Sequence, residues 1–225
     1  MEENHKQVPE SRVNTSLPYE GQGGGSAVSA ISLIKAELRS AMNGVTSRAI
    51  RESGMTYKLS FGVELPRLRQ IAAEFTPDRR LAQDLWQENI RECKMLAIML
   101  YPIEEFDADR ASLWIEGLTP EQSELAQLMS MDLLSRMPDA SEMAFHWMAD
   151  DREMFQLCGF LVITRLLMRG AILSPDAEAE FLDQAAVTLP SSFLALRKAV
   201  TNALLRFGET SKEAERAVEK ILSLP

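Results

Sequence analysis

Helix-breaking residues recur along the chain at nearly regular intervals, and this repeat constrains the fold more than any other feature. Pro102, Pro138, Gly170 and Gly208 each follow a strongly apolar segment, and they lie 36, 32 and 38 residues apart. Proline and glycine both disfavour the interior of a helix, so they mark where helices end. Each interval has room for two short helices. The repeat therefore predicts helical hairpins that stack to bury a shared core.

Within each interval, an amphipathic helix precedes a polar break and a more hydrophobic helix. The predicted pairs are 81–87 with 91–101, 111–117 with 121–137, and 142–149 with 153–168. Trp86, Trp114 and Trp147 recur near the end of the first helices, so we expect all three to be buried where repeats meet. The second helices should form one layer that lines the concave side. A non-repetitive helical bundle remains the alternative.

The first part of the chain divides into a polar segment and the start of the helical pattern. Residues 1–27 contain Gly23-Gly24-Gly25 and too little apolar surface to offset the entropy of ordering. We therefore predict a disordered tail over residues 1–27 and a single domain over 28–225. Apolar residues then recur on one helical face, at Ile31, Ile34, Leu38 and Met42. Strand-like alternation is confined to residues 56–61, where it is short and ambiguous.

Local signals place two helix starts. Pro66 lies at a first-turn position, followed by Leu68, Ile71 and Phe75 on one side of a helix. Asp78 is well placed to cap the next helix, because its carboxylate can accept from a free backbone N–H of the first turn.

Charge is distributed unevenly along the chain. The net charge of −9 argues against a general nucleic-acid binder. Residues 35–94, however, carry eleven basic and eight acidic side chains, whereas residues 95–225 carry eleven basic and 21 acidic ones. A phosphate backbone would therefore prefer the first half, since lysine and arginine supply most of that affinity. The same excess is also what an ordinary solvated surface carries.

Composition argues against several classes of site. Cys93 and Cys158 lie in apolar helices, which is typical of small core residues rather than of disulfides or metal ligands. His5 and His146 are too few for histidine-rich zinc chemistry. No apolar run approaches the ~20 residues of a membrane span, and the first residues lack the apolar core of a secretory signal. We expect a cytoplasmic protein with no metal, no small-molecule cofactor and no membrane contact.

Three segments resemble a known family. Residues 61–69, Phe-Gly-Val-Glu-Leu-Pro-Arg-Leu-Arg, resemble the Phe-Leu-Gly-Ile-x-x-Pro-x-Arg segment of the DNA alkylation repair (AlkD-type) glycosylases, which are HEAT-like repeat proteins. Leu85-Trp86, with residues 91–94 and Ala97, is similar to the next segment of that family, and residues 147–151 are similar to a third. The segments follow in order, and the resemblance runs from about residue 29 to residue 222.

The resemblance implies an all-α fold, a curved solenoid of HEAT-like helical hairpins (an α-α superhelix). It implies a concave, positive face that cradles duplex DNA. It also implies the excision of N3- or N7-alkylated purines without drawing the base into a pocket, in contrast to enzymes that flip bases.

The family's working residues carry over only in part. The family has a tryptophan followed four residues later by an aspartate, whereas the matching residues 118–127 contain no aromatic residue and have Glu121 and Glu124 as acids. A second family tryptophan corresponds to Asn202, and a phosphate-binding arginine corresponds to Leu157. The resemblance therefore implies a DNA-binding relative with little or no glycosylase activity of the usual kind.

Two hypotheses follow. In the first, the chain is a divergent glycosylase for alkylated purines with Glu124 as its catalytic carboxylate and its DNA-binding cations at Arg67, Arg69, Arg91, Lys94 and Lys198. In the second, it is a non-catalytic HEAT-like scaffold that binds DNA weakly or binds a protein partner, for which the acidic second half favours a basic partner. The sign of the concave face distinguishes them, and it depends on whether Arg91, Lys94, Gln127, Gln156 and Lys198 point inward.

Overall fold

The computed structural model describes residues 25–223, which contain twelve α-helices, three single-turn 3₁₀ helices and no strand. The predicted tail lies outside the described residues except for residues 25–27, where the first helix begins. The helices are α1 Gly25–Ser40, α2 Gly44–Glu52, α3 Leu65–Ala73, α4 Arg79–Gln87, α5 Arg91–Leu100, α6 Ala108–Glu116, α7 Ser123–Asp132, α8 Ala140–Met148, α9 Glu153–Met168, α10 Pro175–Thr188, α11 Leu194–Gly208 and α12 Lys212–Leu222. The short 56–61 alternation yields one isolated parallel bridge, Leu59 to Ile90.

The helices form two layers, as the hairpin pattern predicts. Helices α3, α5, α7, α9 and α11 pack each on the next and make one layer. Helices α4, α8 and α10 lie behind it, each packed against the helix that follows it in the chain. The second helices of the predicted hairpins thus share one layer, and the all-α, HEAT-like fold is confirmed. No helix among the described residues is both long enough and apolar enough to cross a membrane.

Both predicted helix starts are confirmed. Pro66 lies in the first turn of α3, and Leu68 and Ile71 of that helix are buried. Asp78 caps α4 by accepting from the backbone N–H of Leu81 at 2.7 Å. The N–H groups of the first helical turn have no partner inside the helix. Asp78 accepts from one of them, and Pro66 has no N–H that needs a partner.

The three tryptophans are buried, as their spacing predicts. Trp86 of α4 and Trp114 of α6 stack face to face with ring centroids 4.1 Å apart, so they join two neighbouring repeats. Trp147 of α8 is fully buried further along the stack. Next to it, Gly159 lets α9 approach α8 closely, because a Cβ there would lie 2.7 Å from the backbone oxygen of Ala144.

Two details of the predicted helices are wrong. The predicted helix 121–137 ends at Asp132, since Leu133 leaves helical geometry and a 3₁₀ turn follows at Leu134–Arg136. The turn buries Leu134 and Ser135, and the backbone oxygen of Ser135 accepts from Arg169 Nη1 at 2.7 Å. Met42 is not on the buried face of α1, because that helix ends two residues earlier and leaves the side chain exposed.

Candidate nucleic-acid interface

A fully buried carboxylate organises the loop before α3. Glu92, at the start of α5, accepts from Ser60 Oγ at 3.0 Å, from the backbone N–H of Phe61 at 3.0 Å and from that of Gly62 at 2.9 Å. A buried charge needs such donors, because it has lost its water. Glu92 therefore holds the first residues of the family-like segment 61–69 against α5.

Glu124 and Arg91 form a two-pronged ion pair at the edge of this network. Arg91 Nε and Nη2 donate to the two carboxylate oxygens of Glu124, each at 2.8 Å. Tyr57 donates its hydroxyl to Glu124 Oε1 at 3.1 Å. Arg91 Nη1 also donates to the backbone oxygen of Val63 and to Glu92, both at 3.3 Å. The predicted catalytic carboxylate and one predicted phosphate ligand thus face each other.

The surroundings reinforce this pairing. Burial, the charge of Glu124 and the hydrogen bond to it all raise the pKa of Tyr57, so the phenol stays protonated. Burial alone would lower the pKa of Arg91, but its hydrogen bonds and attraction to Glu124 outweigh that effect and raise it. The arginine side chain is only 11% exposed. It therefore stays charged and offers little surface to a ligand.

Three other predicted DNA-binding cations are also engaged within the protein. Arg67 Nη2 lies 3.3 Å from Glu37 Oε2, and Arg69 bridges α3 to α7 by two contacts of 2.7 and 2.8 Å with Asp132. Lys94 donates to the backbone oxygen of Trp86 at 2.9 Å and lies 4.5 Å from the centre of its ring. Burial lowers the pKa of Lys94.

The fifth predicted cation, Lys198, lies in a cleft of about 920 Å³ on the layer formed by α7, α9 and α11. Each helix contributes residues three or four positions apart, which share one helical face. Ser123 and Gln127 come from α7, Leu157, Leu161 and Arg165 from α9, and Lys198 and Asn202 from α11. Of the five residues that decide the sign of the concave face, Gln127 and Lys198 line this cleft, whereas Arg91, Lys94 and Gln156 lie outside it.

The cleft is basic although its half of the chain is acidic. Arg165, Lys198 and Arg206 line it with Glu209 as the one acid among its lining residues. Arg206 pairs at 2.8 Å with Glu209, the residue that follows the last residue of α11. Within the described part of the chain, neither Arg165 nor Lys198 forms an ion pair. Two cations are therefore free to meet an anion there.

Most of this cleft was not predicted from the sequence. Arg165 was not among the expected ligands, although it continues the stripe of Leu157 and Leu161 by one further turn of α9. Arg206 extends the stripe of Lys198 and Asn202 in the same way. The average charge of the second half hid both residues, because most of its carboxylates lie outside the cleft.

The third family-like segment, residues 147–151, ends in a turn before α9 that is held by hydrogen bonds between Asp150 and Arg152. Asp150 accepts from the backbone N–H of Arg152 at 2.8 Å and from its guanidinium at 2.7 and 2.9 Å. The hydrogen bonds from Arg152 lower the pKa of Asp150 from 3.8 to about 2. The guanidinium also lies over the ring of Phe155, 3.7 Å from its centre. The aspartate therefore orders the turn that begins α9.

Comparisons with known proteins agree with the fold. A family model described as DNA alkylation repair enzyme matches residues 34–221. No curated protein sequence matches the chain. A solved structure matches with a TM-score of 0.71 and 19% identity over 84% of this chain and 80% of the other. That structure is described as a new family of proteins related to the HEAT-like repeat DNA glycosylases with affinity for branched DNA structures.

Proposed function

Because the chain belongs to the DNA alkylation repair enzyme family, we propose that it binds DNA through the cleft between α9 and α11. The observation that carries this proposal is the pair of unengaged cations, Arg165 and Lys198, on an otherwise acidic half of the chain. Lysine and arginine that neutralise phosphates supply most of the affinity of proteins for DNA. In this proposal Lys198 binds a phosphate, as the sequence analysis predicts, and Arg165 binds another beside it.

We further propose that this binding is not followed by efficient base excision. A carboxylate that stabilises the positive charge growing on the sugar must be directed at that sugar and free of other cations. Both oxygens of Glu124 instead accept from Arg91, and one also accepts from Tyr57. The ion pair leaves little net negative charge for a reaction. A structural role for Glu124 accounts for this arrangement.

Branched DNA is a natural ligand to include in the test. The solved relative with the same fold is described as having affinity for branched DNA structures. Binding is measured by fluorescence anisotropy with a four-way junction and a linear duplex, each at two salt concentrations. We expect affinity to fall steeply with salt, because bound phosphates release counterions.

Matched variants locate the interface. Arg165→Gln combined with Lys198→Gln should weaken binding. It should also reduce the slope of log affinity against log salt concentration by about one for each phosphate that is no longer neutralised. Arg48→Gln combined with Lys220→Gln removes the same charge from exposed positions outside the cleft and serves as the control. Equal losses of affinity in both variants would contradict a specific interface. Binding to neither DNA at low salt would favour the alternative of a protein scaffold.

Excision is tested separately with DNA that contains 7-methylguanine. We expect release of the base at the spontaneous rate, with Glu124→Gln indistinguishable from the unaltered protein. Release well above that rate, abolished by Glu124→Gln in a variant that still binds DNA, would restore the glycosylase hypothesis.

A further inference from the structure

The cleft exposes more apolar surface than phosphate binding requires. Met168, Leu194 and Leu205 line it and are 55%, 51% and 51% exposed. Large apolar side chains left half in water are informative when they gather around one concavity rather than lie scattered over a surface. They gain little from a phosphate backbone, since burying apolar groups against charged oxygens also strips those oxygens of water.

Two amide side chains face the same concavity. Gln127 of α7 and Asn202 of α11 are exposed in the cleft, and in the part of the chain described neither has a hydrogen-bond partner. An amide carries a donor and an acceptor side by side, so it can form paired hydrogen bonds with the edge of a nucleobase. The cleft thus combines amide, apolar and cationic side chains.

This combination of side chains fits an unstacked nucleotide better than it fits a fully paired duplex. An unstacked nucleotide has an apolar ring face, an edge of donors and acceptors, and a phosphate on either side. In a paired duplex the ring faces are hidden between neighbouring bases. The cleft of about 920 Å³ lies within the ~300–1,000 Å³ typical of sites that enclose small molecules.

The family resemblance implies no base pocket, but this chain lacks both of the family's tryptophans, with no aromatic residue in 118–127 and Asn202 in the second position. We propose that its cleft receives an unpaired, unstacked nucleobase of the bound DNA. The apolar side chains contact its faces, Asn202 and Gln127 contact its edge, and Arg165 and Lys198 hold the flanking phosphates. Insertion requires unstacking, which costs least where the base has no partner. The ligand class is therefore DNA with an unpaired nucleotide. This inference rests on the proposed DNA binding and adds the feature of the DNA that is preferred.

The test compares two duplexes that differ only by one bulged nucleotide, with 2-aminopurine as the bulged base. We expect the bulged duplex to bind about tenfold more tightly, which corresponds to about 1.4 kcal/mol. The fluorescence of 2-aminopurine should change on binding, because its stacking partners are replaced by side chains. Equal affinity for the two duplexes with unchanged fluorescence would overturn the inference while leaving DNA binding intact. Failure to bind either duplex at low salt would overturn the proposed function itself.

Variants assign the preference to the cleft wall. Leu205→Ser combined with Asn202→Ala should reduce the preference for the bulge, which is the ratio of the affinities for the two duplexes, to about twofold or less. Leu113→Ser on α6, combined with Gln87→Ala on α4, removes an exposed leucine and an exposed amide elsewhere and should keep the preference. The same reduction in both pairs of variants would overturn the assignment. All four residues are exposed, so folding should survive in each.

Discussion

Arg91 and Glu124 hold each other through two hydrogen bonds of 2.8 Å that join α5 to α7. The two helices are neighbours in the layer of α3, α5, α7, α9 and α11, so the pair connects consecutive repeats. Tyr57 and Glu92 complete the network on either side. Residues that the family resemblance would place in catalysis and phosphate binding are here part of the packing between repeats.

Breaking this pair should reveal its structural role. Arg91→Met leaves Glu124 and the buried Glu92 without their cation, and we expect it to lower the free energy of unfolding by about 3–5 kcal/mol. Glu124→Gln keeps the Tyr57 contact and should cost about 1–3 kcal/mol. Urea denaturation of both single variants and the double variant gives the coupling energy. Arg67→Gln breaks a more exposed pair with Glu37 and should cost about 0–1 kcal/mol. Strictly additive effects of Arg91→Met and Glu124→Gln would contradict a direct interaction.

Gly62 is required by the loop that Glu92 holds. Its φ is +71°, and a Cβ there would overlap the backbone oxygen of Asn43 and lie 2.5 Å from the backbone nitrogen of Ser47. Gly54 has a similar φ of +85° but open space around it, so it isolates the cost of the backbone conformation. We expect Gly54→Ala to cost about 1–2 kcal/mol and Gly62→Ala about 1–3 kcal/mol more, because the backbone must shift. Thermal unfolding of the two variants measures the difference. Equal melting temperatures would show that the backbone around residue 62 shifts at no cost in stability.

The positions of helices could be predicted because their signals are local. Pro66 and Asp78 mark helix starts by chemistry that depends only on the next few residues. The tryptophans were predicted to be buried because a repeated fold places equivalent residues in equivalent positions. The break at Leu133 was missed, since neither glycine nor proline occurs there and the turn depends on Arg169 from another repeat.

The candidate site was harder to predict because its contacts join distant residues. Arg91 and Glu124 are 33 residues apart, and nothing in either segment indicates that they pair. Arg69 and Asp132 are 63 residues apart. A sequence shows which residues carry charge, whereas only the fold shows which charges are already neutralised. The sequence alone therefore does not show that Arg69 and Arg91 have carboxylate partners, or that Arg165 has none within the described part of the chain.

The stack of Trp86 on Trp114 should couple two repeats energetically. We expect Trp114→Ala to lower the free energy of unfolding by about 3–5 kcal/mol, because it leaves a large cavity beside a buried ring. A double-mutant cycle with Trp86→Ala should give a coupling of about 0.5–1.5 kcal/mol from the rings themselves. Trp147→Ala combined with Trp114→Ala serves as the comparison, and that pair should be closer to additive. A vanishing coupling between Trp86 and Trp114 would contradict the observed stack.

Both cysteines should be inert in the folded protein. Burial raises the pKa of Cys93 and of Cys158 to about 12, and both side chains are fully buried. Since the thiolate is the reactive form, we expect almost no reaction with a thiol reagent at pH 8 and two reactive thiols after unfolding in urea. Ser141→Cys places a thiol on the exposed surface of α8 and provides the positive control. A fast phase equal to one thiol in the unaltered protein would show that α5 or α9 opens readily.

Acid should weaken the turn before α9 in a defined range of pH. Hydrogen bonds from Arg152 hold the pKa of Asp150 at about 2 in the folded protein, below its ordinary value of 3.8. A carboxylate whose pKa is lower when folded stabilises the fold above its unfolded pKa, and that contribution is lost as the pH falls toward 2. We therefore expect Asp150→Asn to be less stable than the unaltered protein at pH 6, with the difference shrinking between pH 4 and pH 2. Asp151→Asn changes an exposed neighbouring carboxylate and controls for the general effect of charge. Urea midpoints at each pH measure the difference, and a gap that stays constant down to pH 2 would show that the Asp150 carboxylate is not what stabilises the turn.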